Sequence, residues 1–138
     1  AFGSRAIIDR FEEYGVPIKR VVNAGGISAK NQLVMQIFAD VLNRPLEVSR
    51  STQTCALGAA MSGAVVGGAH ATFADATSAM TGMLEYVYHP IPENVAVYEG
   101  LYRLYKRLHD LFGATGYAEN QFDVMKELLD LRDRAKIA

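Results

Sequence analysis

The stretch VVNAGGISAKNQLVMQIFADVLNRP, residues 21–45, places two adjacent glycines between a β-branched run and a segment with helical periodicity. Gly25 and Gly26 either form a tight turn or leave the backbone bare, so that a ligand can lie very close to it. The apolar residues that follow recur at one-turn spacing, which predicts a helix from about Ser28 that ends at Asn43–Pro45. Strand ends of this kind are where open α/β sheets bind ligands, and the N–H groups of a helix start suit a phosphate or a ribose.

The remaining pattern predicts an α/β chain with much helix and little sheet, organised as one domain over residues 1–138. We predict strands at 18–24 and 46–49, and helices ending at Gly15 and covering 55–68, 73–82, 92–112 and 119–136. The expected apolar stripe of the helix from Pro92 comprises Tyr98, Leu101, Tyr102, Tyr105, Leu108 and Phe112. Because two short strands make a poor independent sheet, we interpret the chain as a piece of a longer protein whose upstream part completes the sheet.

Composition argues against several classes of function. The 138 residues carry 14 basic and 15 acidic side chains, and a net charge of -1 makes nucleic acid and anionic membranes poor partners. Cys55 is the only cysteine, which excludes an internal disulfide and suits the reducing cytoplasm. The most apolar stretch, residues 56–71, is too short and too weakly apolar to span a bilayer. His70, His89 and His109 show no spacing typical of a metal site, so no metal ligand is assigned.

A set of motifs along the chain resembles the C-terminal half of the FGGY carbohydrate kinases. These motifs are Gly25–Gly26, Gln36 with Ala39–Asp40, and the ALGAA sequence at 56–60. The resemblance covers essentially the whole chain, and it implies an actin-like ATPase (ribonuclease H-like) fold with two lobes around a cleft. It also implies transfer of the γ-phosphoryl group of ATP to a sugar hydroxyl.

Within that family, residues 89–113 and the Lys-Asn pair of GGISAKN resemble the L-ribulokinase branch in particular. The implied reaction is ATP-dependent phosphorylation of a ketopentose, L-ribulose to L-ribulose 5-phosphate, in arabinose catabolism. Xylulokinase and glycerol kinase are the alternatives within the family. A non-catalytic helical interaction domain, with the glycine pair only a turn, is the alternative from another class, and ATP- or ADP-dependent stabilisation would discriminate against it.

The resemblance also implies which residues contact the nucleotide. It places Gly25 and Gly26 near the ribose and the α-phosphate, followed by a polar residue beside adenine. Counting forward from the glycines selects Lys30, whereas counting back from Gln36 selects Asn31, and both stay open. In the family the catalytic base, the first phosphate loop and the sugar pocket lie upstream, so no catalytic residue is assigned here.

The expected ligands are therefore ATP or ADP with Mg²⁺, and the ketopentose binds mainly through the missing N-terminal domain. The chain alone is expected to be inactive, and a homo-oligomer is left open. Gln36 and Asp40 are expected to tie down neighbouring loops rather than to contact ligand. Gly58 and Ala59 are the small residues best placed to face the cleft, with close helix packing explaining the other small residues around them.

Overall fold

The computed structural model describes residues 1–136, which form seven helices and two strands in chain order. Helix α1 is followed by strand β1, helices α2 and α3, strand β2 and helices α4 to α7. The bounds are α1 Phe2–Glu13, β1 Val21–Asn23, α2 Gly26–Lys30, α3 Gln32–Leu42, β2 Leu46–Val48, α4 Thr54–Val66, α5 Phe73–Met80, α6 Pro92–Gly113 and α7 Val124–Ala135. None of the helices within residues 1–136 has both the length and the apolar character needed to cross a membrane.

The two strands form a parallel pair, with Val21 opposite Leu46 and Asn23 opposite Val48. The sheet is shorter than predicted because only these three-residue segments pair. On its other side, β2 and the residue that follows it make antiparallel bridges to the segment between α5 and α6, through Leu46 with Tyr88 and through Ser49 with Met83. The main core cluster, where α3 covers one face of the sheet, comprises Met35, Ala39, Leu46, Val48 and Tyr88.

The helix predicted after the glycines is interrupted at Asn31. Its backbone is extended there, with φ −129° and ψ 90°, and its side chain caps the next helix by accepting the Val34 N–H at 3.0 Å. Asn is among the best N-cap residues, so it can end α2 and start α3 at one position. The helix directly behind the glycines therefore has only five residues, and its macrodipole contributes less than a long helix would supply.

Two expectations for the C-terminal third are wrong. Phe112 is 87% exposed, whereas Leu104 in the same helix is 1% exposed, because the last turns of α6 extend beyond the elements that cover its middle. The last helix begins at Val124 rather than at Glu119. Asn120 forms a local turn instead, since its Oδ1 accepts the Phe122 N–H at 2.9 Å, a bond that competes with helix formation.

Polar contacts join α1 to the rest of the chain. Arg44 donates to both carboxylate oxygens of Glu12, at 2.8 and 2.7 Å, and to the Ile18 carbonyl at 2.9 Å. Tyr102 of α6 donates its hydroxyl to Asp9 at 2.8 Å. Burial, reinforced by this hydrogen bond, raises the pKa of Tyr102. These contacts thus hold the C-terminal half of α1 against the rest of the chain.

A buried carboxylate joins α3 to the start of α6. Asp40 is 2% exposed, and its Oδ1 accepts hydrogen bonds from Gln36 Nε2 and the Ile91 N–H, both at 2.8 Å. Its Oδ2 accepts from Asn94 Nδ2, also at 2.8 Å. Gln36 also donates to the His89 carbonyl at 2.8 Å. The prediction that Gln36 and Asp40 tie down neighbouring loops is confirmed.

Asp40 also provides the cap that α6 lacks. Ile91 is the N-cap residue of α6, and its own side chain makes no capping bond. The Asp40 carboxylate therefore caps the helix from another element, where a negative charge also complements the helix dipole. Three donors satisfy the buried charge, which is the condition under which burying it is tolerated.

We predict that Asp40→Ala strongly destabilises the protein. Truncation leaves the partly buried Ile91 N–H and Asn94 amide without their acceptor, at a cost of up to about 1–3 kcal/mol for each. Asp130→Ala is the matched control, because Asp130 is exposed and its removal should change stability by less than about 0.5 kcal/mol. Urea unfolding of both variants measures the difference. Equal, small losses in the two variants would contradict the capping role.

Candidate functional site

The two glycines after β1 have different structural requirements. Gly25 has φ +96° and ψ −178°, a region of backbone conformation that only glycine adopts readily. Gly26 is the first residue of α2 and has no positive φ. A Cβ built on Gly26 would meet no atom of the described chain within 4 Å. Gly25 is therefore needed for the turn, whereas neither conformation nor packing within residues 1–136 explains Gly26.

Hydrogen bonds from buried or paired residues fix the loop that carries the glycines. Ser28 is 6% exposed and donates its hydroxyl to the Gly25 carbonyl at 2.7 Å. At the same edge of the sheet, the Ser49 N–H donates to the Asn23 carbonyl at 2.9 Å. The carboxyl ends of both parallel strands thus meet beside the glycine pair, where ligands bind in open α/β sheets.

Lys30 and Asn31, the two candidates for the base contact, differ in what their side chains already do. Asn31 uses its Oδ1 to cap α3 through the Val34 N–H. The Nδ2 group of Asn31 takes no part in that bond, so its two N–H groups can donate to another acceptor. Lys30 is exposed at the last position of α2. The two residues are adjacent at the junction between α2 and α3.

The surface around these residues is open and partly apolar. Ile27 and Leu33 are each 70% exposed and flank the Lys30–Asn31 loop in sequence. The apolar repeat of the predicted helix placed Leu33 on the buried face, which is wrong because Leu33 lies in the first turn after the break at Asn31. Ile27 was not singled out by the sequence. Large apolar side chains that are exposed beside an open glycine backbone indicate a surface that contacts a ligand or another part of the protein.

The small residues of α4 are less packed than predicted. Met61 is the one buried residue of α4, while Ala59 is exposed and Gly58 is half-buried. A Cβ on Gly58 would meet nothing within 4 Å in the described chain. Close packing within residues 1–136 therefore does not explain why α4 is rich in small residues, because no described element covers its outer face.

A cavity that is partly open to solvent lies at the opposite end of the sheet. It has a volume of about 160 Å³ and is lined by Ile18, Lys19, Arg20, Val21, Arg44, Pro45 and Glu47. Arg20 pairs with Glu47 there, and this hydrogen bonding lowers the pKa of the Glu47 carboxyl. The cavity surrounds the starts of the strands, so it is separate from the glycine edge. The edge of the sheet beside Gly25 and Gly26 is an open surface, so another part of the protein would be needed to enclose a ligand there.

The described residues supply no complete catalytic apparatus. Within residues 1–136, no group of three or more His, Cys, Asp or Glu side chains could hold a metal ion. Asp40, the one fully buried carboxylate among residues 1–136, is occupied by three hydrogen-bond donors, from Gln36 of α3 and from Ile91 and Asn94 at the start of α6. The arrangement can position a ligand against bare backbone, and it offers no base aimed at that ligand.

Comparison with known proteins agrees with the predicted resemblance. Residues 1–66 match the family described as "FGGY family of carbohydrate kinases, C-terminal domain". The chain is 45% identical to a ribulokinase of Geobacillus thermodenitrificans, with 100% of this chain and 24% of that protein aligned. A ribulokinase of Mycolicibacterium smegmatis is 41% identical, with 96% of this chain and 23% of that protein aligned. The chain thus spans about a quarter of the length of the curated relatives it matches.

Solved structures show the same fold. A crystal structure of xylulose kinase from Rhodospirillum rubrum superposes with a TM-score of 0.63 at 27% identity, over 80% of this chain and 22% of that chain. A crystal structure of gluconate kinase from Lactobacillus acidophilus has a TM-score of 0.58 at 24% identity, over 72% of this chain and 20% of that chain. The helix-rich α/β fold with a small sheet is therefore shared with carbohydrate kinases, and the predicted likeness to ribulokinases is confirmed.

The different roles of the two glycines predict different costs of substitution. Gly25→Ala should lower the free energy of unfolding by about 1–3 kcal/mol, because alanine is strained at that backbone conformation. Gly26→Ala should leave stability unchanged or slightly raised, since alanine favours a helix and meets no atom there. Chemical denaturation of the two variants provides the measurement. Similar losses at both positions would show that Gly26, too, is required by the turn.

Proposed function

We propose that this chain belongs to the FGGY family of carbohydrate kinases, whose C-terminal domain model matches residues 1–66, and that it supplies the nucleotide-binding half of an ATP-dependent ribulokinase. The whole protein would phosphorylate L-ribulose to L-ribulose 5-phosphate in arabinose catabolism in the cytoplasm. Its architecture would be that of the actin-like, ribonuclease H-like ATPases, with this chain as one lobe of a cleft. Likeness to ribulokinases over 96% to 100% of the chain supports this choice of substrate.

The observation that carries the proposal is the bare backbone at Gly26. Gly26 has no positive φ and has open space above it, as Gly3 also does, but Gly26 lies where the carboxyl ends of the parallel strands β1 and β2 meet. Its absent side chain would let the ribose and the α-phosphate lie against the loop at the carboxyl end of β1. The first N–H groups of α2 have no partners inside the helix, and they would face the bound nucleotide.

The polar residues of the loop would then orient the base. We assign the base contact to Asn31, because its capping bond fixes the side chain and leaves its amide N–H groups free to donate. Lys30 is the alternative, since an exposed ammonium at the end of α2 could lie over the base or pair with a phosphate. Ile27 and Leu33 would lose their exposure when the cleft closes.

The rest of the reaction would belong to other parts of the protein. Phosphoryl transfer needs a base for the attacking hydroxyl and Mg²⁺ to neutralise phosphate charge. Within residues 1–136 no three His, Cys, Asp or Glu side chains cluster together, and we assign no residue of this chain to the metal. The sugar would bind mainly to the N-terminal domain of the longer protein, and this chain alone would be inactive.

Xylulose is the second candidate substrate. The likeness to the Rhodospirillum rubrum xylulose kinase structure, at 27% identity, favours it. Both candidates are ketopentoses and share the proposed nucleotide site, so the assignment of this chain's residues is the same for either. Measuring phosphorylation of L-ribulose against D-xylulose by the full-length protein decides between them.

The proposed role of Gly26 predicts selective loss of nucleotide binding. In the full-length protein, Gly26→Val should raise the KM for ATP at least about tenfold, because a branched side chain displaces the nucleotide from the loop, at a cost of about 1.4 kcal/mol or more. Sugar binding without nucleotide should be nearly unchanged. Separate ATP and sugar titrations, each beside a thermal melt, supply the measurement.

Gly3→Val is the matched control for that variant. Gly3 lies in α1, has no positive φ and has no atom within 4 Å of a built Cβ. The two substitutions therefore carry similar conformational costs, and Gly3→Val should leave the KM for ATP unchanged. A folded Gly26→Val protein with normal ATP affinity would refute the nucleotide assignment.

A second pair of variants separates Asn31 from Lys30. Asn31→Ser keeps a capping oxygen for α3 but removes the amide donor, so the KM for ATP should rise while the melting temperature changes little. Lys30→Gln removes the charge and should have the smaller effect on the KM for ATP. If Lys30→Gln has the larger effect, Lys30 is the contact and the assignment to Asn31 is wrong.

A further inference from the structure

Arg50 lies at the same edge of the sheet as the glycine pair. The register places Asn23 opposite Val48, so Gly25 and Arg50, each two residues further on, leave the sheet at the same level. On the other side of β2, the Arg50 N–H donates to the Gly82 carbonyl at 2.8 Å. Because side chains alternate along an extended chain, Arg50 projects from the same face as Val48, which is the face that α3 covers.

The guanidinium group of Arg50 lies flat on Gly82. A Cβ built on Gly82 would lie 3.1 Å from Cζ of Arg50, 3.2 Å from an Nη and 3.3 Å from Nε. Because the central carbon is the nearest of these atoms, Gly82 faces the plane of the guanidinium group rather than its edge. Gly82 has no positive φ, so its missing side chain makes room for the arginine. Arg50 is an exposed residue, and the opposite face of its guanidinium plane is therefore accessible.

Arg50 differs from the other arginines in what its side chain contacts. Every other arginine of residues 1–136 donates at least one side-chain hydrogen bond, whereas Arg50 makes neither a side-chain hydrogen bond nor an ion pair within that range. Arg5 and Arg10 lie over the rings of Tyr102 and Tyr14, at 4.1 and 5.1 Å from the ring centres. No ring of the described residues lies over Arg50 in this way. A planar cation that is held flat, with one face accessible, is suited to stack on a planar ring.

We propose that the guanidinium plane of Arg50, supported by Gly82, is the surface on which the adenine ring of the bound nucleotide stacks. This inference rests on the proposed nucleotide site at Gly26. Neighbouring strands lie about 4.8 Å apart, so Gly82, on the far side of β2, is about 10 Å from the chain at Gly25. A nucleotide whose ribose lies at Gly26 therefore extends its base across β2, with Arg50 against the face of the ring and Asn31 at its edge.

Isothermal titration of the full-length protein with ATP, ADP and adenosine tests the inference. Arg50→Lys keeps the charge but removes the plane, so it should raise the Kd for all three ligands by the same factor, about three- to tenfold. Arg132→Lys is the matched control, because Arg132 is an exposed arginine of α7, and it should leave every Kd unchanged. A thermal melt of each variant shows whether the fold is intact.

Gly82→Ala tests the support that Gly82 gives to Arg50. The added methyl group would lie 3.1 Å from Cζ of Arg50 and must displace the guanidinium group, so the Kd for adenosine should rise about as much as in Arg50→Lys. The double variant should bind adenosine within about twofold of Arg50→Lys alone, because both substitutions act through the same guanidinium plane. Losses that multiply in the double variant would show that Gly82 does not act through Arg50.

The three ligands distinguish stacking from pairing with a phosphate. If Arg50→Lys weakens ATP and ADP but not adenosine, Arg50 contacts a phosphate and the stacking proposal is wrong. If the wild type binds ATP and Arg50→Lys leaves all three Kd values unchanged, the inference about Arg50 fails while the proposed site at Gly26 stands. A wild type that binds none of the three ligands overturns both. If Gly82→Ala does not fold, Arg50→Lys decides, because Arg50 is exposed.

Discussion

The Asp40 carboxylate is the contact on which the arrangement of this chain most depends. It accepts hydrogen bonds from Gln36 of its own helix, from the Ile91 N–H and from Asn94. These bonds join the end of α3 to the start of α6, and they give α6 the cap that its own sequence lacks. Burial, with a contribution from the nearby Asp40 charge, raises the pKa of Tyr98 in α6. A buried charge is tolerated when three donors bond to it, whereas the same three donors would be destabilising if they had no acceptor.

Helix α3 transmits this constraint to the candidate site. Its middle covers the sheet through Met35 and Ala39, and its first residue follows Asn31, which ends the loop that carries the glycines. The loop is therefore held at both ends, by β1 and by a helix fixed to α6. Gly26 stays bare and open on this rigid support, and the uncovered Ile27 and Leu33 lie beside it. Such a surface is half of a cleft, which agrees with a chain that spans about a quarter of its kinase relatives.

The sequence predicted those features that local chemistry determines. Gly15 adopts φ +78° at the end of α1, where the N–H groups of Gly15 and Val16 bond back into the helix at 2.9 Å, as a glycine C-cap predicts. Pro92 starts α6 as predicted. What failed depended on tertiary context. Periodicity could not show that Phe112 extends past its cover, and an Asn inside an apolar repeat gave no sign that it would cap a new helix.

The central claim is that Gly26 is bare because a nucleotide lies against it. A structure of the full-length protein with Mg²⁺ and a non-hydrolysable ATP analogue tests this claim most directly. The account predicts that the ribose or the α-phosphate lies within about 4 Å of the Gly26 Cα, in van der Waals contact, with the Asn31 amide directed at the base. A nucleotide bound elsewhere, with the Gly26 loop in solvent or packed only against protein, would contradict it.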